Sequence, residues 1–292
     1  MFELQQQIIT KDDDKAPVVH LRLALLACEN HPPYGPPRHT AQLFLELLHQ
    51  VALLDNLHSY DIIIHVYNVI AEEYPTDWSE YQGFIVPGSF AAAYDTDPWI
   101  LALRKQLQTH IVANERPTLA VCFGHQIMAH SFFPDGQASK MPYARAGRYE
   151  VTNVPEDSCL GTNSFSQFFS HGDCVEKLPK TAAAWGCSDP HIPVQIAAYY
   201  GPSSSTPYCI SFQAHPEYAT EDTLGTLQGC MDAMKERKAL STEEYDQQLQ
   251  DAHATHTAVK AANLQVMRRV VQTLGWFPTT QETAGPGQQI AS

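Results

Sequence analysis

The chain has 292 residues, of which 44% are hydrophobic, enough to bury a full core as one α/β domain with a C-terminal extension rather than as two domains. Its net charge of −14 is spread along the chain and argues against nucleic acid and anionic membrane surfaces as partners. Seven cysteines without paired spacing and the lack of any Asn-x-Ser/Thr sequon predict a reducing, cytoplasmic setting; there is no apolar leader in Met1 to Lys15 and no apolar run long enough to cross a bilayer.

Residues 1–17, which contain the charged run Lys11-Asp12-Asp13-Asp14-Lys15, are expected to form a disordered tail. Strands and helices then alternate, the pattern of a doubly wound, mostly parallel sheet covered on both faces. The first strand is expected at 21–27, and residues 39–54 carry a helical stripe through Leu43, Leu47 and Val51. Further strands are expected at 61–69 and 82–86, the second running into Pro87-Gly88. Asp97-Pro98 starts a helix, because proline is favoured at the first helical position, and Ile100, Leu103, Leu107 and Ile111 line one face of it.

Thr118 to Val121 reads as a buried parallel strand, and Ile127, Met128, Ala129 and Phe132 as one face of the next helix. Cys122 falls in the sharp turn between them. There the new helix aims its unpaired amides and positive dipole end at the sulfur, which favours a reactive thiolate, and Gly124 keeps the turn open to a substrate. The competing reading is a buried cysteine that only fills space.

Residues 148–200 are richer in short strands, with candidates at 182–185 and 194–199, and resemble the small antiparallel insert that doubly wound folds of this kind carry; 201–207 reads as a surface loop. The strand at 207–213 runs into Ala214-His215-Pro216-Glu217-Tyr218, where Pro216 fixes a bend that can turn His215 and Glu217 toward the same space. A cysteine at an elbow, a histidine to manage its proton and a carboxylate to orient that histidine are the parts of a thiol triad. His215 suits the base better than His125, which sits inside the helix after the cysteine. Fourteen histidines invite a metal, but no His-Glu-x-x-His occurs and His253 with His256 lacks a third ligand nearby, so no metal or other cofactor is expected.

Ser241-Thr242-Glu243-Glu244 is a capping box that opens a helix running to about Leu274. Its stripe of Val259, Leu264, Met267, Val270 and Val271 either docks on the domain or meets a second subunit. The expected organisation is a tail at 1–17, the main domain at 18–238, a helical extension at 239–278 and a disordered tail at 279–292.

Cys122-Phe123-Gly124-His125-Gln126, Ser170-His171-Gly172-Asp173 and Phe212-Gln213-Ala214-His215-Pro216-Glu217, with Pro87-Gly88-Ser89 ahead of them, stand in an order that resembles the class I (triad) glutamine amidotransferases. Within that family the chain is most similar to the glutaminase domain of GMP synthetases and to stand-alone γ-glutamyl peptidases. It differs in having Ala120 where many members have glycine, and Pro87-Gly88-Ser89-Phe90 where paired glycines and a proline are usual. The resemblance implies the flavodoxin-like fold of that family and cleavage of a γ-amide of glutamine or a γ-glutamyl compound through a thioester on Cys122. His215 and Glu217 would complete the triad, Gly88 and Phe123 would form the oxyanion hole, and Gln126, Ser170, His171 and Asp173 would contact substrate. Lys140, Arg145 and Arg148 are the candidates to make the pocket less negative. The partner is then either a separate synthetase that takes up ammonia or a second copy in a homodimer, and a non-catalytic redox or chaperone-like relative is the remaining alternative.

Overall fold

A computed structural model describes residues 1–8, 16–31, 36–187, 189, 191–220 and 224–279. The alternation expected from the sequence gives strands β1 (Phe2–Ile8), β2 (Val18–Ala27), β3 (Ser59–Asn68), β4 (Gly83–Val86), β5 (Thr118–Val121), β6 (Gln137–Val151), β7 (Phe165–Lys177), β8 (Ala182–Ala184), β9 (Ile196–Tyr200) and β10 (Pro207–Phe212). The main helices are α1 (Pro37–Ala52), α2 (Pro98–Gln106), α3 (Phe123–His130), α4 (Leu224–Glu236) and α5 (Thr242–Thr273). Eight strands form one sheet in the order β1-β3-β2-β4-β5-β10-β9-β8. Its five central strands are parallel, with antiparallel β1 at one edge and antiparallel β9 and β8 at the other.

Strand side chains alternate faces, so a strand buried on both sides feeds two cores. Leu23 and Leu25 of β2 join Phe44, Leu47 and Val51 of α1 and Met267, Val270 and Val271 of α5. Ala24 and Leu26 point the other way, toward Ile100 and Leu103 of α2 and Phe123 and Ile127 of α3. The stripe predicted for α5 is therefore spent on the domain itself. Past its end Trp276 lies against the sheet so closely that a Cβ on Gly83 would fall 2.1 Å from Trp276 Nε1. The helix begins with the predicted capping box between Ser241 and Glu244.

Two expectations are corrected. The tail predicted at 1–17 contains β1, which pairs with β3 from Phe2↔Val66 to Ile8↔Tyr60. Phe2 and Leu4 pack on the core while the intervening residues face out, an alternation masked in the sequence by the glutamines and the charged run behind it. The strands at 182–185 and 194–199 belong to the main sheet as β8 and β9, and the antiparallel insert is instead the β6–β7 ribbon. Its polar outward residues hid the strand pattern. Ser170 to Asp173 lie inside β7. The disorder expected for 279–292 falls, beyond Thr279, outside the described residues.

The topology also places a site. Neighbouring strands β4, β5 and β10 are in register at Val86↔Ala120 and Phe212↔Val121. Their carboxyl ends therefore release Pro87-Gly88, Cys122 and Gln213 to Glu217 at one edge, where ligands bind in open α/β sheets.

Candidate functional site

Cys122 sits between β5 and α3 with φ 52° and ψ −109°, a conformation that costs a non-glycine residue on the order of 1–3 kcal/mol. The surroundings hold it there. Its N–H donates to Phe212 O at 2.7 Å, and the Gly124 N–H donates to Pro87 O at 3.1 Å. Gly124 has no room for a side chain, since a Cβ would fall 1.9 Å from Val86 O. The thiol is 5% exposed, with Sγ 3.8 Å from Ser170 O. Phe123 opens α3, and its amide belongs to the first-turn donors that a helix leaves unsatisfied.

The bend at Pro216 turns His215 so that Nδ1 is 2.8 Å from Glu217 Oε1, and the ring lies on Tyr218 with centroids 4.2 Å apart. Gly88 lies between this imidazole and the elbow: a Cβ there would be 3.1 Å from His215 Cε1 and 3.9 Å from Cys122 Sγ. Burial disfavours the charged ring, but the Glu217 carboxylate and, after it, Cys122 outweigh burial and push the His215 pKa up to about 10. Nδ1 therefore donates to Glu217, and His215 stands as imidazolium at neutral pH. Among the described residues, His215 Nε2 has no hydrogen-bond partner of ordinary geometry.

The turn carrying this pair is fastened from behind by α5. The fully buried Asn263 donates through Nδ2 to Pro216 O at 2.9 Å and accepts at Oδ1 from Gln167 Nε2 at 3.0 Å. Asn263→Ala leaves both partners unpaired in the core and should lower stability by about 1–3 kcal/mol, read as a reduced denaturant midpoint. An unchanged midpoint would mean that the two bonds carry no net stability.

A cavity of about 320 Å³ opens over Cys122 and is lined by Gln126, Ser170, His171 and Asp173. Gln126 Nε2 donates to Asp173 O at 2.9 Å and to Gln213 Oε1 at 3.1 Å, and Tyr94 donates its hydroxyl to Asp173 Oδ1 at 2.9 Å. Burial holds the Asp173 carboxyl above its usual range. His171 donates from Nδ1 to Asp173 O at 2.8 Å, and burial pushes its pKa down to about 3, so its buried, unpartnered Nε2 is a bare acceptor. His125 points away: it pairs with Ser211 Oγ at 2.7 Å and Val194 O at 3.2 Å, neutral because burial lowers its pKa to about 4. Among the described residues no group of three His, Cys, Asp or Glu side chains could hold a metal ion.

Of the three cations expected near the pocket, only Lys140 lines it. Arg145 pairs with Asp189 at 2.5 Å and covers Tyr149, while Arg148 pairs with Asp251 of α5 at 2.8 Å. Arg237, just past α4, lines the cavity instead, and no motif in the sequence marks it. Glu29, also missed, shapes the loop after Gly88 by accepting the Phe90 N–H at 2.7 Å.

A doubly wound sheet that presents a cysteine elbow beside a His-Pro-Glu turn narrows the chain to one class of protein. The family model for glutamine amidotransferase class-I matches residues 42–226, more than half of the chain, which belongs to that family. Among curated proteins it is 30% identical over 162 residues to "Gamma-glutamyl peptidase 2" of Arabidopsis thaliana, covering 53% of this chain and 62% of the relative. It is 31% identical over 149 residues to a "GMP synthase [glutamine-hydrolyzing]" of Flavobacterium psychrophilum, covering 50% of this chain and 26% of the relative. The chain thus spans less than two thirds of the length of these relatives. A solved glutamine amidotransferase from Thermotoga maritima superposes with a TM-score of 0.63 at 17% identity, over 87% of this chain and 99% of that one, a likeness of fold. No helix among the described residues is long and apolar enough to cross a membrane.

Proposed function

We propose that this chain is a cysteine-dependent hydrolase of γ-glutamyl amides. The observation that carries the reading is the strained Cys122 elbow, which lines the cavity and lies across Gly88 from the His215–Glu217 pair. With His215 protonated, Cys122 acts as the thiolate and attacks the γ-carbonyl carbon of the substrate, whose π electrons move onto oxygen. The resulting oxyanion is received by the backbone amides of Phe123 and Gly88; removing one donor of such a hole typically costs about 2.7–4 kcal/mol of barrier. His215 passes its Nε2 proton to the leaving nitrogen, the C–N bond breaks, and a γ-glutamyl thioester remains as the amine departs.

Water then gives a proton to the neutral His215 and attacks the thioester. Glutamate leaves, and the thiolate–imidazolium pair is restored. Glu217 keeps the ring oriented and stabilises its charge. Gln126, Ser170, His171 and Asp173 form the contacts to the glutamyl end, with Lys140 as a nearby cation. No cofactor enters this chemistry. The likeness to γ-glutamyl peptidases supports water as the acceptor. The likeness to GMP synthases supports a second reading, a glutaminase that hands ammonia to a separate synthetase. The intact His215–Glu217 pair argues against a non-catalytic redox or chaperone-like role. Seven free cysteines fit a reducing, cytoplasmic setting.

The purified protein should be incubated alone with glutamine and with glutathione, measuring ammonia and released cysteinylglycine. Turnover of glutathione above that of glutamine is expected. The reverse preference would favour ammonia delivery, and turnover of neither would overturn the hydrolase.

A further inference from the structure

The cavity has two walls of different character. Gln126 and Asp173, tied together and to Tyr94, make one. The other comes from the end of α4, which is joined to the His215 turn: the hydroxyl of Tyr218 lies 3.4 Å from Cys230 Sγ. One turn further on, Met234 Sδ is 3.5 Å from Ser170 Oγ, and both Met234 and Arg237 line the cavity. If His215 supplies the proton for the leaving nitrogen, the glutamyl end lies along Gln126 and Asp173, and the leaving group runs along α4 toward Arg237.

Arg237 is suited to meet an anion there. Its guanidinium is 4.3 Å from the centroid of Phe90, a contact that restrains the plane of the fork before any ligand arrives. Among the described residues it has no carboxylate partner within ion-pair distance, whereas Arg145 and Arg148 have one each in this acidic chain. Ammonia released from glutamine has nothing for this group to bind. An amino acid or short peptide does, in its carboxylate.

We propose that Arg237 selects the leaving group by pairing with a carboxylate on it, so that the preferred substrates are γ-glutamyl amides of amino acids or small peptides rather than glutamine. The proposal rests on the hydrolase reading and adds its substrate class. A planar guanidinium grips a carboxylate through two parallel hydrogen bonds, which lysine cannot reproduce.

The test compares kcat/KM for γ-glutamylalanine, its C-terminal amide and glutamine in the wild type, Arg237→Gln and Arg237→Lys, with calorimetric binding of the acid and the amide to Cys122→Ala. Arg237→Gln should lose about tenfold toward the acid and change the other two substrates by less than about twofold, the low end for a charge-assisted bond at an exposed site. Arg237→Lys should fall between, and Cys122→Ala should bind the acid more tightly than the amide. Hydrolysis of all three with no preference for the acid, or an equal loss on all three in Arg237→Gln, would overturn the role of Arg237 and leave the hydrolase standing. No hydrolysis by the wild type and no binding by Cys122→Ala would overturn both.

Discussion

Replacing Cys122 with alanine should reduce turnover of every γ-glutamyl substrate by about four orders of magnitude or more, as expected when a nucleophile that works in concert with its base is removed. The fold should survive. Alanine keeps the Cβ, and the elbow is held by backbone bonds to Phe212 and Pro87 that do not involve the sulfur. The other cysteines are poor substitutes: Cys28 and Cys209 are fully buried, and burial pushes both thiols up, keeping them protonated. Amine release and denaturant midpoint measured on the same preparation separate the two effects. Substantial activity in a folded Cys122→Ala protein would remove the elbow from the chemistry.

The second large effect concerns His215 and Glu217. His215→Ala should be nearly as damaging as loss of the cysteine, whereas Glu217→Gln should leave partial activity, because in the proposed mechanism Glu217 orients and stabilises without moving a proton to substrate. The signs in pH follow from the shift. Burial alone would lower the His215 pKa; Glu217 is the largest influence raising it, to about 10 from 6.5. The wild type should therefore keep its acid group through neutral pH and lose rate as pH rises through about 10. In Glu217→Gln the alkaline limb should move to lower pH. The stability from the raised pKa is likewise fully present below 6.5 and lost as pH rises through about 10. Rate profiles with the same alkaline limb in both proteins would contradict this account.

Features set by local chain chemistry were readable in the sequence. Three apolar residues, Leu119 to Val121, followed by Cys122 and a helical stripe specify an elbow with little help from elsewhere, and Pro216 fixes the His215 turn in the same local way. The capping box at Ser241 did as much for α5. Features set by distant partners were not readable. Arg148 looked free until Asp251 appeared beside it from α5, and Asn263 gives no sign in its own neighbourhood that it reaches Pro216, 47 positions away. Arg237 follows the same rule, because its place over Phe90 depends on how α4 packs. The β1 strand was hidden differently: Phe2, Leu4 and Ile8 alternate correctly, but three glutamines and a charged run outweigh them in composition.

The family model matches the chain as far as residue 226, while the buried core continues through α5 to Trp276 and Phe277. The matched segment and the cooperative core thus cover different lengths of this chain. A fragment trimmed to that boundary would lose part of its own interior and the clasp on Pro216. Trp276 also ties the chain beyond α5 to a central strand: Gly83 is locked as glycine for as long as that indole lies across it. Replacing the indole by a small side chain would open room over the strand, so these two positions, almost two hundred residues apart, set one another's size.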